Sequence, residues 1–286
     1  MIKEITRKSF RMRFSGRSSD YITPSFGYGC LYKCSYCYMR RNVKKGLSVA
    51  TNVDEILDAI DIHCKKLGRK KPNQTSSKYW TYDISCNEDF ALHAKYYDWQ
   101  KIFDFFKNHD TAMATLATKC VNKKLLDYNA NRKVRIRFSL MPQEFSDILE
   151  PNTSKIIDRI KAVNDFYAVG YDVHLNFSPV IVYGDTKKLY TELFEMVDQY
   201  IDDDIKNYVQ TEVIFLTHNH DMHKHNQEFD SKAEKLLWNP NIQEDKISTY
   251  GGKNIRYKRH LKRVYIARFK ELHRSIIPWN KIRYIF

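Results

Sequence analysis

Apolar residues recur along this chain at two spacings, and the two alternate. From Asn52 to Leu67 the spacing is helical: Val53, Ile56, Leu57 and Ile60 share one face, and Asn52 with Glu55 has the form of a capping box. Tyr79 to Ser85 reads as a buried strand. Asp98 to Asn108 returns to the helical period through Trp99, Ile102, Phe103 and Phe106. A short strand at Ala114–Thr118 precedes a helix near Asn122–Tyr128, and Val134–Leu140 is a further strand. Ser154–Val169 repeats the helical spacing with Ile156, Ile157, Ile160 and Val163, and Gly170 suits the position just past its end. A strand at Val173–Val182, a helix at Thr186–Tyr200 and a strand at Glu212–Leu216 follow.

Strands alternating with helices argue for a parallel α/β fold. About five or six such units are too few to close an eight-fold barrel, so an open, partial barrel is expected, with ligands at the C-terminal strand ends. After His218 the pattern breaks. Residues 218–245 read as polar and irregular, and Lys246–Lys258 as a hairpin around Gly251-Gly252. Arg259–Arg274 reads as a basic helix and Lys281–Ile285 as a last strand. The expected division is a barrel over residues 1–217 and a small hairpin–helix–strand appendage over 218–286, packed on it.

Composition sharpens this. No apolar run approaches the roughly 18 to 20 residues of a membrane span, and the first ten residues lack the apolar stretch of a signal peptide. A soluble, cytoplasmic monomer is expected. The 48 Lys+Arg against 34 Asp+Glu give a net charge of +14, which favours polyanions. The stretch Lys253–Arg263 alone carries six Lys/Arg with Tyr257 among them, a pattern that suits a phosphate backbone or a solvated face. The 20 Tyr and 16 Phe are stacking surfaces for bases or ordinary core material.

Six cysteines are too few and too uneven for a disulfide framework, and they suit a reducing compartment. Three stand in Gly29-Cys-Leu-Tyr-Lys-Cys-Ser-Tyr-Cys-Tyr38. The spacing C-x3-C-x2-C fits a short loop around one [4Fe–4S] cluster, with Cys30, Cys34 and Cys37 as ligands and one iron left open. Such an iron can chelate the amino and carboxylate groups of S-adenosylmethionine (SAM), whose reductive cleavage yields a 5′-deoxyadenosyl radical. Structural zinc is the competing reading; it needs a fourth ligand, and His63 and Cys64 lie on the following helix.

Cys86 ends the strand Tyr79–Ser85. It is either a small buried hydrophobe or a hydrogen-atom donor facing the cavity. Glu88 is either a solvated loop acid or a partner for the SAM amino group. Lys119 and Ser139 also end strands and point to the same cavity. His218, His220, His223 and His225 are a candidate metal set, or a polar loop that contacts phosphate.

These residues resemble the spore photoproduct lyase family, a DNA-repair branch of the radical SAM enzymes. The run Phe26–Met39 is similar to its cluster loop. Cys86-Asn-Glu-Asp89 resembles its Cys-Thr-Ser-Asp, Ala117-Thr-Lys119 its Val-Thr-Lys, and Arg135-Ile-Arg-Phe-Ser139 its Arg-Phe-Arg-Phe-Ser. Glu150-Pro-Asn-Thr-Ser154, Tyr250-Gly-Gly-Lys253 and Ile282-Arg-Tyr284 extend the likeness over roughly residues 20–286. Glu88 stands where the family has Ser, Met141 where a small polar residue is expected, and Thr249 where its hairpin usually has Arg.

The resemblance implies a partial (β/α)6 barrel of the radical SAM type, with SAM contacted by Lys119 and Ser139; Glu88 is a candidate SAM contact from its charge alone. It implies repair of a methylene-bridged thymine pair: a hydrogen is taken from C6, the bridging C–C bond breaks, and Cys86 returns a hydrogen atom. Tyr36 and Tyr38 would reset the thiyl. Tyr250, Lys253, Arg256, Lys258 and His218 would face DNA, and a flavodoxin or ferredoxin would supply the electron. The alternatives are a radical SAM enzyme acting on another DNA or RNA base, and a zinc-containing nucleic-acid-binding protein without catalysis.

Overall fold

A computed structural model describes residues 2–40, 46–247 and 251–286. Five short strands come first: β1 (Ile2–Ile5), β2 (Arg13–Phe14), β3 (Tyr21–Ile22), β4 (Gly27–Tyr28) and β5 (Leu47–Ala50). Then come α1 (Val53–Leu67), β6 (Trp80–Asp83), α2 (Phe90–His93), α3 (Trp99–Asn108), β7 (Ala112–Thr118), β8 (Val134–Leu140), α4 (Gln143–Leu149) and α5 (Ile156–Ala168). β9 (Asp172–Val180), α6 (Thr186–Tyr200) and β10 (Gln210–Phe215) complete the alternating part. The remainder is β11 (Thr217–Asn219), α7 (His220–Phe229), α8 (Ser231–Leu237), β12 (Gln243–Ile247), β13 (Lys253–Tyr257), α9 (Arg259–Ile276) and β14 (Lys281–Ile285).

One eight-stranded sheet runs β14-β10-β9-β8-β7-β6-β3-β2. Every pairing in it is parallel except β2 with β3. This is the expected open, partial barrel. β8 shows how the chain builds it. All seven of its residues are buried. Ile136, Phe138 and Leu140 belong to the apolar core, and Phe138 meets Phe166 of α5 edge-on at 5.4 Å. The alternate residues Arg135, Arg137 and Ser139 share the opposite face, because side chains of a strand alternate. Arg137 reaches across β7 to Asp83 (2.8 Å) and across β9 to Glu212 (3.0 Å), so that face is a polar barrel interior.

Four expectations are corrected. Asn52 does not cap α1: its Oδ1 accepts from Arg7 N (2.8 Å) and its Nδ2 donates to Arg7 O (3.0 Å) and Glu55 (2.8 Å), tying the N-terminal segment down. Residues Lys123–Asp127 form a 3₁₀ turn where a helix was expected. Residues 218–245 are not irregular but hold β11, α7, α8 and the start of β12. The closing strand, assigned from sequence to the appendage, is the parallel edge strand of the barrel sheet, beside β10. The hairpin pairs β12 with β13 in antiparallel register, from Gln243↔Tyr257 to Ile247↔Lys253, and β11 adds to its other side. Among the described residues, no helix is long and apolar enough to cross a membrane.

Candidate active site

The cysteine loop leaves β3 at the C-terminal end of the barrel sheet, and its glycines let it lie flat. A Cβ on Gly27 would stand 2.2 Å from Glu88 Oε2, and Gly29 has φ +104 with Gly46 O 2.6 Å from where its Cβ would be. Backbone bonds then fix the loop along its length. Gly29 N donates to Asn87 O (3.1 Å), and Ser35 N donates to Leu149 O (2.9 Å). Leu31 N donates to His93 Nε2 (3.2 Å). A backbone N–H can only donate, so that ring nitrogen carries a lone pair and Nδ1–H faces Glu88 Oε2 at 3.0 Å.

The three thiols converge on one neighbourhood. Burial pushes all of them up, Cys30 to about 12, while Lys119 acts in the opposite direction on each. Tetrahedral zinc would hold sulfurs about 3.8 Å apart. Among the described residues, only His218, His223 and Glu234 form a ligand set within 4.8 Å, so the thiols are spread more widely than zinc requires. The candidate fourth ligands are also turned elsewhere. His63 Nδ1 meets Tyr82 Oη (2.9 Å) and Cys64 Sγ meets Thr111 Oγ1 (3.2 Å). The donor set, three thiols with a cation beside them, fits a cluster with an open iron better than closed zinc.

Lys119 is held at the end of β7 by Asp89, which accepts from Lys119 N (2.8 Å) and Thr118 Oγ1 (2.6 Å) and caps α2. Burial is the largest influence and opposes the charge of its ammonium, but Glu150, 3.9 Å away, together with Cys34 and Asp89 outweighs it, and the pKa lies above the ordinary value. Glu150 in turn is bound by Arg159 (2.9 Å), whose Nη1 also donates to Ser139 O (2.8 Å). Ser139 is buried at the end of β8, and its Oγ accepts from Asn176 Nδ2 (3.3 Å). Asn176 Oδ1 is buried and has no hydrogen-bond partner among the described residues. Sequence reading missed Asn176; its position opposite Ser139 in the β8–β9 register is the signal that finds it.

Cys86 and Tyr38 are brought together. Tyr38 Oη donates to Cys86 O (3.0 Å) and lies within hydrogen-bond reach of the thiol, and burial raises the pKa of both. Arg13 of β2 donates to Cys86 Sγ (3.3 Å), a contact sequence reading also missed. Tyr36 is placed differently: its hydroxyl binds Glu150, and its ring lies 5.8 Å from Lys119 Nζ.

Two further expectations change. Glu88 has a side chain only 1% exposed and binds His93 and Tyr97 Oη (3.1 Å), so it braces the underside of the loop. His218 does not face a DNA surface: it is fully buried and its Nε2 meets Glu234 Oε2 at 3.0 Å, because α8 packs over it. Tyr250 and Thr249 lie outside the described residues. Lys258 spends its ammonium on Asn241 O (3.0 Å), and Lys253 is exposed at the hairpin.

Arg256 lines a cleft of about 570 Å³ between β2, the hairpin and α9. Arg13, Arg17, Lys246, Arg259, Lys262 and Arg263 line it as well and, among the described residues, no acid does, although Glu244 pairs with Arg256 at 2.9 Å. Burial, then Arg256, Lys246 and Arg17, lower the pKa of Lys262. Phe14 stands 74% exposed at its wall. Arg13 joins this cleft to Cys86.

The family model for spore photoproduct lyase matches residues 4–286. The spore photoproduct lyase of Bacillus subtilis (strain 168) is 26% identical over 212 residues, 73% of this chain and 59% of that protein. That of Geobacillus sp. (strain Y412MC61) is 25% identical over 193 residues, 66% and 54%. The chain thus spans a little over half the length of these curated relatives. A solved spore photoproduct lyase complexed with dinucleoside spore photoproduct superposes with a TM-score of 0.85 at 19% identity, covering 100% of this chain and 82% of the other. At that identity the likeness is one of fold. The family match extends over nearly every residue, the cysteine loop, the strand ends and the closing strand included, and the chain belongs to the spore photoproduct lyase family.

Proposed function

We propose that this chain is a radical SAM carbon–carbon lyase that opens a thymine-derived lesion in DNA. The reading rests on one arrangement: Lys119 beside three cysteine thiols, and the Cys86–Tyr38 pair joined through Arg13 to a cleft whose charged lining residues are basic. Cys30, Cys34 and Cys37 would hold a [4Fe–4S] cluster, with SAM at its open iron as the source of a 5′-deoxyadenosyl radical. The Lys119 ammonium, kept protonated by Glu150, offers its charge to a carboxylate in this neighbourhood. Ser139 and Asn176 offer a hydroxyl and a buried carbonyl to the polar part of a bound nucleoside. The basic cleft neutralises phosphates, and Phe14 gives an unstacked base a surface.

Cys86 gives its hydrogen atom to the thymine carbon radical left when the bridge breaks. Its S–H bond is weak enough for that transfer, and burial holds the thiol protonated. Tyr38 Oη then gives its hydrogen atom to the sulfur, and the tyrosyl radical left behind is returned to the phenol by one electron from the external reductant and one proton. A base in a lesion leaves the stack at lower cost than an intact one, which favours damaged substrate. Relatives solved with bound AdoMet and dinucleoside spore photoproduct support the same reading.

Anaerobic incubation of iron-loaded protein with SAM, dithionite and a dinucleoside spore photoproduct is the test. Mass spectrometry should find 5′-deoxyadenosine and two restored thymidines, and Cys34→Ala should yield neither. Deoxyadenosine without thymidine release, together with turnover of an undamaged oligonucleotide, would replace lesion repair by base modification.

A further inference from the structure

The His-rich run of α7, which the lesion chemistry does not use, meets α8 in a compact polar cluster. His218 from β11, His223 from α7 and Glu234 from α8 each bring one ligand atom to a common point, all within 4.8 Å of one another. His218 Nε2 lies 3.0 Å from Glu234 Oε2, and His223 Nδ1 lies 2.5 Å from Glu234 Oε1. All three residues are buried. Among the described residues no Lys or Arg pairs with Glu234, so a buried carboxylate faces only imidazoles. Burying a carboxylate without a cation is costly, and a metal ion would supply the missing charge.

We propose that His218, His223 and Glu234 form a binding site for one zinc ion. Two imidazoles and one carboxylate are a characteristic zinc donor set. Tetrahedral bonds of roughly 2.0–2.1 Å space such ligands about 3.3 Å apart, a spacing that fits inside the 4.8 Å within which the three ligand atoms lie. Trp238 covers one side, its ring 5.0 Å from that of His223. His220 stands one turn earlier on α7 with its ring 6.0 Å from that of His223.

The site joins β11, α7 and α8, and α7 with the α7–α8 junction grips the cysteine loop. Asn226 of α7 donates to Ser35 O (2.9 Å), and Asp230, between α7 and α8, accepts from Ser35 Oγ (2.8 Å) and Arg40 (3.2 Å). A zinc here would therefore lock the support of Cys34 and Cys37 without touching either thiol.

The probe is zinc alone, on the full chain with its three loop cysteines changed to Ala, so that thiols cannot compete. Elemental analysis after equilibration with buffered zinc should give one zinc per chain, and the melting temperature should rise by about 5 °C. Cobalt(II) should give visible d–d bands without a sulfur charge-transfer band. In the same background, His223→Ala and Glu234→Gln should lose stoichiometric metal, and His225→Ala should keep it. In the iron-loaded parent chain, one zinc should accompany the iron; this readout stands if the cysteine variant fails to fold. Absence of stoichiometric zinc from the iron-loaded parent, or equal retention by His223→Ala and Glu234→Gln, overturns the site.

Discussion

Cys86 and the two tyrosines show how far a residue's role depends on its immediate partners. Sequence placed Tyr36 and Tyr38 alike, one on each side of Cys37. Their hydroxyls part in the fold: Tyr38 reaches Cys86, while Tyr36 is fully occupied by the carboxylate of Glu150. Cys86→Ala should leave SAM cleavage intact and divert the thymine radical to other products, read by mass spectrometry; an unchanged product profile removes the thiol from the path. Tyr38→Phe should spare the first turnover and slow later ones by about tenfold, because the thiyl is no longer reset. Tyr36→Phe should instead remove a hydrogen bond to a charged group, worth about 1.5–3 kcal/mol, and lower the urea midpoint. Comparing single with multiple turnover separates the two, and a later-turnover defect in Tyr36→Phe at unchanged stability would reverse these roles.

At the scale of elements, what sequence revealed and what it hid follow from where the apolar side chains go. α6 and β8 occupy the residues expected of them, because α6 buries a periodic apolar face and β8 sends alternate apolar residues into the core. α7 was invisible for the opposite reason. Its buried face consists of Met222, His223 and Asn226, so the hydrophobic period is nearly absent although the helix is real. β2, β3 and β4 are two residues each, below the length at which alternation can be read. The site divides in the same way. Of the proposed site, spacing singles out Cys30, Cys34 and Cys37, and standing at strand ends singles out Lys119 and Ser139. Arg13, Asn176 and Asp230 are not singled out, because each reaches the site across a gap in sequence that no local pattern encodes. Asp230 carries a prediction at this scale, since it both caps α8 (Ala233 N, 3.3 Å) and holds Ser35 and Arg40 of the cysteine loop. Asp230→Ala should cost about 1 kcal/mol as a lost cap. It should also speed iron loss from the loaded protein under chelator challenge; iron loss at the parent rate would mean the loop needs no such support.

Across the whole molecule, the barrel interior is charged where the outside of the sheet is oily, and this ties stability to pH. Arg135 binds Asp172 (2.6 Å), Arg137 bridges Asp83 and Glu212, and Arg283 of the closing strand also binds Glu212, so charge fastens β14 to the sheet. His174 sits in this layer with its protonation fixed by geometry. Gln210 N donates to Nδ1 (2.8 Å), which leaves Nε2–H to face Asp172 at 3.3 Å, a neutral ring. Burial lowers its pKa to about 4, against an ordinary 6.5. The unfolded chain therefore binds a proton between pH 6.5 and 4 that the folded chain refuses, so stability falls as pH falls through that window. The full drop from this residue is at most about 3 kcal/mol. Asp172, held below the usual carboxylate range by Arg135 and His174 against its burial, adds a loss of the same sign only at lower pH. Urea unfolding of the reduced, iron-free chain from pH 7 to 4.5 should thus show stability falling with acid. His174→Gln, which can still accept from Gln210 N and donate to Asp172, should flatten that limb whatever its effect at pH 7. A slope unchanged in His174→Gln would mean that the acid sensitivity lies in the carboxylates alone and that the ring takes up its proton in the folded barrel.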